Sequence, residues 1–189
     1  MGWIAREQLL AMGFRGLGEN VLISEKASLY GVGRIDLSDN VRIDDFCILS
    51  AGEGGIRIGR HVHIAAYCSV IGQAAITLDD FAGLSSRVSI YSSSDDYSGA
   101  ALTNPTVPDA FTNVQHAPVS LGRHVIVGCG AVILPGAVLE EGVAVGALSL
   151  VSRPCAAFGI YSGVPARRVK ERSRDLLLAE QRLVASAGG

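Results

Sequence analysis

Cysteine is scarce and unpatterned: Cys47, Cys68, Cys129 and Cys155 stand far apart, with neither CxxC nor CxH spacing, so no zinc knuckle or dithiol redox motif is expected. The N-terminus lacks the basic, apolar and small-residue segments of a secretory signal, and a reducing cytoplasm is the expected compartment. Charge of one sign is missing as well. With 16 basic and 18 acidic side chains the formal net charge is −2, which gives no broad field to gather nucleic acid or an anionic membrane. Any phosphate must be met locally. No apolar run approaches the ~20 residues of a membrane-spanning helix, although hydrophobic residues make up 49% of the chain. At 189 residues the chain suits one domain with a core of its own.

What is present is a period. Steps of six from Leu37 give Leu37, Ile43 and Leu49, then Ile58, Ile64 and Val70, then Leu78, Leu84 and Ile90. After an interruption the series resumes as Leu121, Val127, Ile133, Leu139, Val145 and Val151. Four residues after most of these comes a small or β-branched residue: Val41, Cys47, Val62, Cys68, Ala74, Ala82, Val88, Val125, Ala131, Ala137, Val143, Ser149 and Cys155. The residue directly after the aliphatic is often Gly, Ala or Asp, as at Asp44, Gly59, Ala65, Asp79, Gly122, Gly128 and Gly146.

A six-residue step matches neither a 3.6-residue helix nor a plain alternating strand, but it suits a short strand plus a corner, repeated. Three such units close a triangular coil. The aliphatic and the small residue then point inward, and Gly or Asp is expected to take the corner dihedrals. Coils stacked at ~4.8 Å satisfy each other's backbone groups. The expected organisation is a cap segment over residues 1–20, a parallel β-helix over 21–165 with an insertion loop at 91–119, and a C-terminal helix and tail over 166–189. Trp3, Ile4, Leu9, Leu10 and Met12 suggest a short amphipathic helix over the first coil. Val169, Leu176, Leu177 and Leu183 suggest an apolar stripe on a helix from Ala166 to Val184, covering the last open edge.

The stretch Gly122-Arg-His-Val-Ile-Val-Gly-Cys-Gly-Ala-Val-Ile-Leu-Pro-Gly, with Val145-Gly-Ala-Leu-Ser-Leu-Val and Gly163-Val-Pro-Ala-Arg-Arg-Val after it, resembles the hexapeptide-repeat acyltransferase family. The resemblance covers about residues 21 to 172 and is strongest to the maltose and galactoside O-acetyltransferase branch. It implies an all-β, left-handed parallel β-helix, whose hand is opposite to that of ordinary parallel crossovers. It also implies acetyl-CoA as co-substrate, a homotrimer with sites between neighbouring subunits, and O-acetylation of a sugar or sugar nucleotide, in surface polysaccharide synthesis. The alternatives are N-acetylation of an amino sugar and a non-catalytic β-helix scaffold.

In that branch the base is a His in the insertion loop, where this chain reads Tyr91-Ser-Ser-Ser-Asp95-Asp96-Tyr97. The candidates are therefore Asp95, which matches the position, its neighbour Asp96, and His116 at the loop's far end. Histidine side chains titrate at ~6.5 and aspartates at ~3.9, so His116 is the better match to general-base work, with an Asp orienting it across the site. His61 and His124 occupy one slot of a repeated Gly-Arg-His-Val and read as corner residues; His63 reads as outward-facing and structural. The Gly-His-x4-His-Gly signature of a zinc-binding relative of this fold is absent, and no metal is expected. By resemblance, Cys129, Gly130, Ala147, Ser152 and Arg153 line the CoA groove. Arg167 and Lys170, in a basic cluster with Arg168, Arg172 and Arg174, are the phosphate contacts.

Overall fold

The computed structural model describes residues 2–187. Short parallel strands stack in three ladders. The first face carries Gly16–Leu17, Ile35–Leu37, Ile56–Ile58, Ile76–Leu78, Val119–Leu121 and Val138–Leu139. On the second are Leu22–Ile23, Arg42–Ile43, His63–Ile64, Gly83–Leu84, Ile126–Val127, Ala144–Val145 and Gly159–Ser162. The third holds Ser28–Tyr30, Ile48–Ala51, Ser69–Gly72, Ser89–Tyr91, Val132–Ile133 and Leu150–Val151. Because the chain visits the faces in turn and then repeats, the result is a three-sided parallel β-helix of about seven coils.

Register follows the six-residue series. Ile43 pairs with Ile64, Ile64 with Leu84, Leu84 with Val127 and Val127 with Val145. Each aliphatic rung lies on another, and every member of the series is buried. The small residues four places on are buried too, except Ala74, which is half-buried in an irregular corner. The first rung begins at Gly16–Leu17, inside the segment expected as a cap, because Leu17 seats on Leu37.

The corner dihedrals fall elsewhere than expected. The left-handed conformation belongs to the residue just before the small buried one: Asn20, Asn40, His61, Phe81 and His124 on one edge, and Phe46, Tyr67, Arg87 and Leu148 on the next. Left-handed backbone costs ~1–2 kcal/mol at a residue with a side chain. Two gains offset it. The N–H turns toward the coil below, as from His61 to the Asp39 carbonyl (3.1 Å) and from Tyr67 to that of Asp45 (3.0 Å). The side chains also stack along the edge: His61 on Phe81 and Phe81 on His124 at centroid separations of 4.9 and 5.0 Å, Phe46 on Tyr67 at 4.9 Å. Such ring pairs add ~0.5–1.5 kcal/mol. The glycines after the aliphatics serve close approach instead; a Cβ on Gly128 would strike the Ala147 backbone nitrogen.

At the N-terminus only α1 (Arg6–Ala11) is helical, with Leu9 buried and Leu10 and Met12 exposed. Trp3 and Ile4 are extended and pair with the first coil at Ser24 and Ile23. At the other end the expected helix from Ala166 is replaced by a strand, Arg167–Glu171, antiparallel to Gly159–Ser162. The open edge of the last rung has backbone groups to satisfy, and this pairing prevails over the local helical pattern. Val169 is therefore exposed. Helix α2 (Asp175–Ala187) follows and is held to a corner through Glu180, which meets Arg123 and, at 2.9 Å, His124 Nε2. Leu176 and Leu177 are half-buried, whereas Leu183 is exposed. No described helix is long and apolar enough to cross a membrane.

Ile64 sits fully buried in the middle of the second face, so Ile64→Ala should cost about 2–5 kcal/mol. A thermal-melt midpoint within a degree or so of the parent would contradict the stacked-rung account.

Candidate functional site

Two edges of the prism are regular, and the third is not. Between the third and first faces the coils below the loop carry extra residues, in turns at Gly31–Arg34, Gly52–Gly55 and Gly72–Ala75. The insertion leaves from the same edge after Tyr91 and returns at Val119, whose strand pairs directly on Ile76–Leu78 as if nothing intervened. Ser93–Ser94 and Gln115–His116 pair antiparallel and close the base of the loop.

Between this edge and the loop lies a cleft of roughly 1060 Å³. Tyr30, Arg34, Ser50, Glu53 and Gln73 line the coil side; Ser93, Asp95, Asn104, Asp109, Asn113 and His116 line the loop side. Thus the structure brings Asp95 and His116, far apart in sequence, to one wall. Both are exposed.

His116 is not oriented by an aspartate. Its Nδ1 lies 2.9 Å from Ser93 Oγ, which also accepts the Gln73 N–H at 2.9 Å. In the tautomer that donates from Nδ1 to Ser93, Nε2 keeps a lone pair for a proton. Ser93 was hidden in a serine run that reads as a turn. Asp96 does not line the cleft. Its Oδ1 accepts the Ser98 N–H at 2.8 Å, and hydrogen bonding from Ser98 holds the carboxyl below its ordinary range. That makes Asp96 a turn-forming anion and a poor proton acceptor.

The residues assigned by resemblance to the CoA arm lie on the upper coils, outside the cleft. Cys129, Gly130 and Ala147 share the edge between the second and third faces, where Leu148 N–H bonds the Cys129 carbonyl at 2.9 Å. Cys129 and Ala147 are exposed there. Ser152 and Arg153 follow the last third-face strand and are exposed on the next edge. Arg167 and Lys170 lie on the terminal strand, opposite Ser162 and Ile160. The basic cluster is smaller than its sequence suggests. Arg172 points inward to the carbonyls of His124 (2.7 Å) and Gly142 (3.0 Å), Arg174 covers the Phe158 ring, and Arg168 pairs with Glu171. Arg167 and Lys170 remain without a carboxylate among the described residues. No group of three metal-type side chains gathers among those residues either.

No family model matches the chain. It is 51% identical over 189 residues to a dTDP-4-amino-4,6-dideoxy-D-glucose acyltransferase of Escherichia coli, covering 100% of this chain and 98% of the relative. AntD, an N-acyltransferase from Bacillus cereus solved in complex with dTDP and 3-hydroxybutyryl-CoA, superposes with a TM-score of 0.95 at 44% identity, over 99% of this chain and 98% of that one. A serine-to-alanine mutant of AntD has been solved with dTDP-4-amino-4,6-dideoxyglucose and CoA. A maltose O-acetyltransferase from Clostridium difficile is similar in fold alone, at 19% identity and a TM-score of 0.61, over 89% of this chain and 75% of that one.

Replacing Ser93 by alanine removes the acceptor of the Gln73 amide. Hydrogen exchange at Gln73 should then quicken about tenfold, the worth of one such bond. Unchanged protection would show that the loop base is held in some other way.

Proposed function

The chain belongs to the family of hexapeptide-repeat acyltransferases, and on that footing we propose that it moves an acyl group from acyl-CoA to the amine of a nucleotide-linked amino sugar. The observation that carries this reading is the cleft, with Asp95 and His116 on one wall. Nitrogen is favoured over the oxygen acceptor expected from the maltose branch, because the relative that spans the whole chain takes an amino sugar.

In this reading the amine nitrogen attacks the thioester carbonyl, a C–N bond forms, and the thiolate of CoA departs. The amine must lose a proton to become, and remain, a nucleophile. Of the proton acceptors that line the cleft, His116 Nε2 and the Asp95 carboxylate take this role; Glu53 and Asp109 line it as well. Asp96, already engaged by Ser98, is left out. Cys129, Gly130 and Ala147 offer the pantetheine arm a wall of small residues and backbone, with Ser152 and Arg153 beyond. Arg167 and Lys170 meet the CoA phosphates.

Within one copy, the cleft and the Cys129–Ala147 edge stand on opposite borders of the third face. A homotrimer in which a neighbouring copy supplies the second border would complete the site, and the proposal includes it. The free cysteines fit a reducing cytoplasm. A nucleoside diphosphate is a leaving group, so the product suits glycosyl transfer into a surface polysaccharide.

With acetyl-CoA and dTDP-4-amino-4,6-dideoxyglucose, thiol release should accompany an alkali-stable amide product; an alkali-labile ester, or no transfer, would refute nitrogen as the acceptor. Asp95→Asn or His116→Ala should lower kcat by ~10²–10⁴ while the trimer and its melting point persist. Full turnover in both variants would remove these residues from the chemistry. Arg167→Ala should raise KM for acetyl-CoA about tenfold, leaving KM for the sugar nucleotide alone, and an unaltered CoA dependence would contradict the phosphate assignment.

A further inference from the structure

The cleft is asymmetric in charge. Glu53, Asp95 and Asp109 line it, and Arg34 is the one arginine or lysine among its described lining residues. Resting on the acyl-transfer reading, we infer that Arg34 and Tyr30 form the subsite for the nucleoside diphosphate of the acceptor. The diphosphate lies on the Arg34 guanidinium and the base lies against the Tyr30 ring, which leaves the sugar amine at the far end beside Asp95 and His116.

Arg34 is fixed without being neutralised. Its Nε lies 2.8 Å from the Gly52 carbonyl and 3.1 Å from that of Ala51, and Nη2 lies 2.8 Å from the latter. Carbonyl oxygens orient a guanidinium but leave its charge uncompensated, and Nη1 has no partner among the described residues. On the coils beside it Arg42 pairs with Asp44, Arg57 with Asp79 and Arg60 with Asp80, and Arg34 is the arginine that faces the cleft without a carboxylate partner among the described residues. A preorganised, unpaired guanidinium with free N–H groups is what a phosphate selects. Gly31 permits this pose. It holds a φ of +67°, and a Cβ there would collide with the Ala51 carbonyl oxygen and come within 2.8 Å of Arg34 Nη2.

Tyr30 ends a third-face strand with 59% of its surface exposed. It stands in register with Ser50, then Ile71, then Tyr91, two residues before Ser93. Three strand spacings therefore separate Tyr30 from the loop base, about 14 Å. That length keeps a base and a sugar apart on either side of a diphosphate. Polarity sets the direction of binding. Arg34 draws the phosphates to the coil side, which it shares with Glu53, while Asp95 and Asp109 on the loop side repel phosphate and draw an ammonium.

The test titrates dTDP and, separately, CoA into wild type, Arg34→Gln, Arg34→Lys and Tyr30→Ala by calorimetry, with melting curves for each. The expected result is a loss of dTDP affinity of about tenfold or more for Arg34→Gln, partial recovery in Arg34→Lys, a several-fold loss for Tyr30→Ala, and constant CoA affinity. Should Arg34→Gln melt early, Tyr30→Ala decides, since that ring is exposed and its removal leaves the fold alone. Wild-type dTDP affinity in folded Tyr30→Ala and Arg34→Gln would overturn the subsite while leaving acyl transfer intact. A wild-type protein that acylates a free amino sugar but binds no dTDP would also overturn it. Absence of both dTDP binding and turnover would bring down the acyl-transfer reading itself.

Discussion

Everything in this molecule answers to one constraint: each coil must lie on the one below it at strand spacing, so that backbone N–H and C=O groups pair and one apolar rung covers the next. Ile43, Ile64, Leu84, Val127 and Val145 form one such column. A residue that does not fit the coil has nowhere to go but outward at a corner. Four departures collect on a single edge, at Gly31–Arg34, at Gly52–Gly55, at Gly72–Ala75 and at the insertion after Tyr91. Their superposition makes the cleft. The site is thus a by-product of where the fold tolerates extra chain, and its floor is rigid because the rungs beneath it are.

The same constraint explains the unusual corners. A left-handed residue turns its N–H down to the previous coil, and stacking compensates for its side chain. The His61, Phe81 and His124 column continues this logic upward to Gly142, where a Cβ would strike the Phe158 ring. Helix α2 then uses the column as a mooring through Glu180. Burial pushes the Glu180 carboxyl up, but the hydrogen bonds from His124 and Arg123 outweigh that and hold it below its ordinary range. A carboxylate depressed in this way adds stability above its unfolded pKa, and that contribution is lost as acid protonates it.

The six-residue series exposed the rungs, the coil and the place of the loop, because burial on a repeating strand leaves a direct trace in residue type. The repeated Gly-Arg-His-Val likewise marked His61 and His124 as corner residues. What was not legible depended on contacts between coils. Phe, Tyr and Arg in left-handed backbone contradict single-residue preferences and make sense only as a stack. Arg167–Glu171 has a helical pattern, yet an open edge waits beside it. Asp95 and Asp96 are adjacent in sequence, and a local turn at Ser98 separates their roles. Ser93 becomes visible as the partner of His116 only when the loop closes on itself.

The proposed acyl transfer asks the prism to hold a thioester near an amine, and the two sets of candidates occupy opposite borders of the third face. A crystal grown with CoA and dTDP-4-amino-4,6-dideoxyglucose tests this most directly. The account predicts the sugar nucleotide in the cleft between the third face and the loop, its amine within hydrogen-bonding distance of Asp95 or His116 and the CoA thiol directed at it. A sugar nucleotide bound on any other edge, with the cleft vacant and the thiol pointing away, would contradict it.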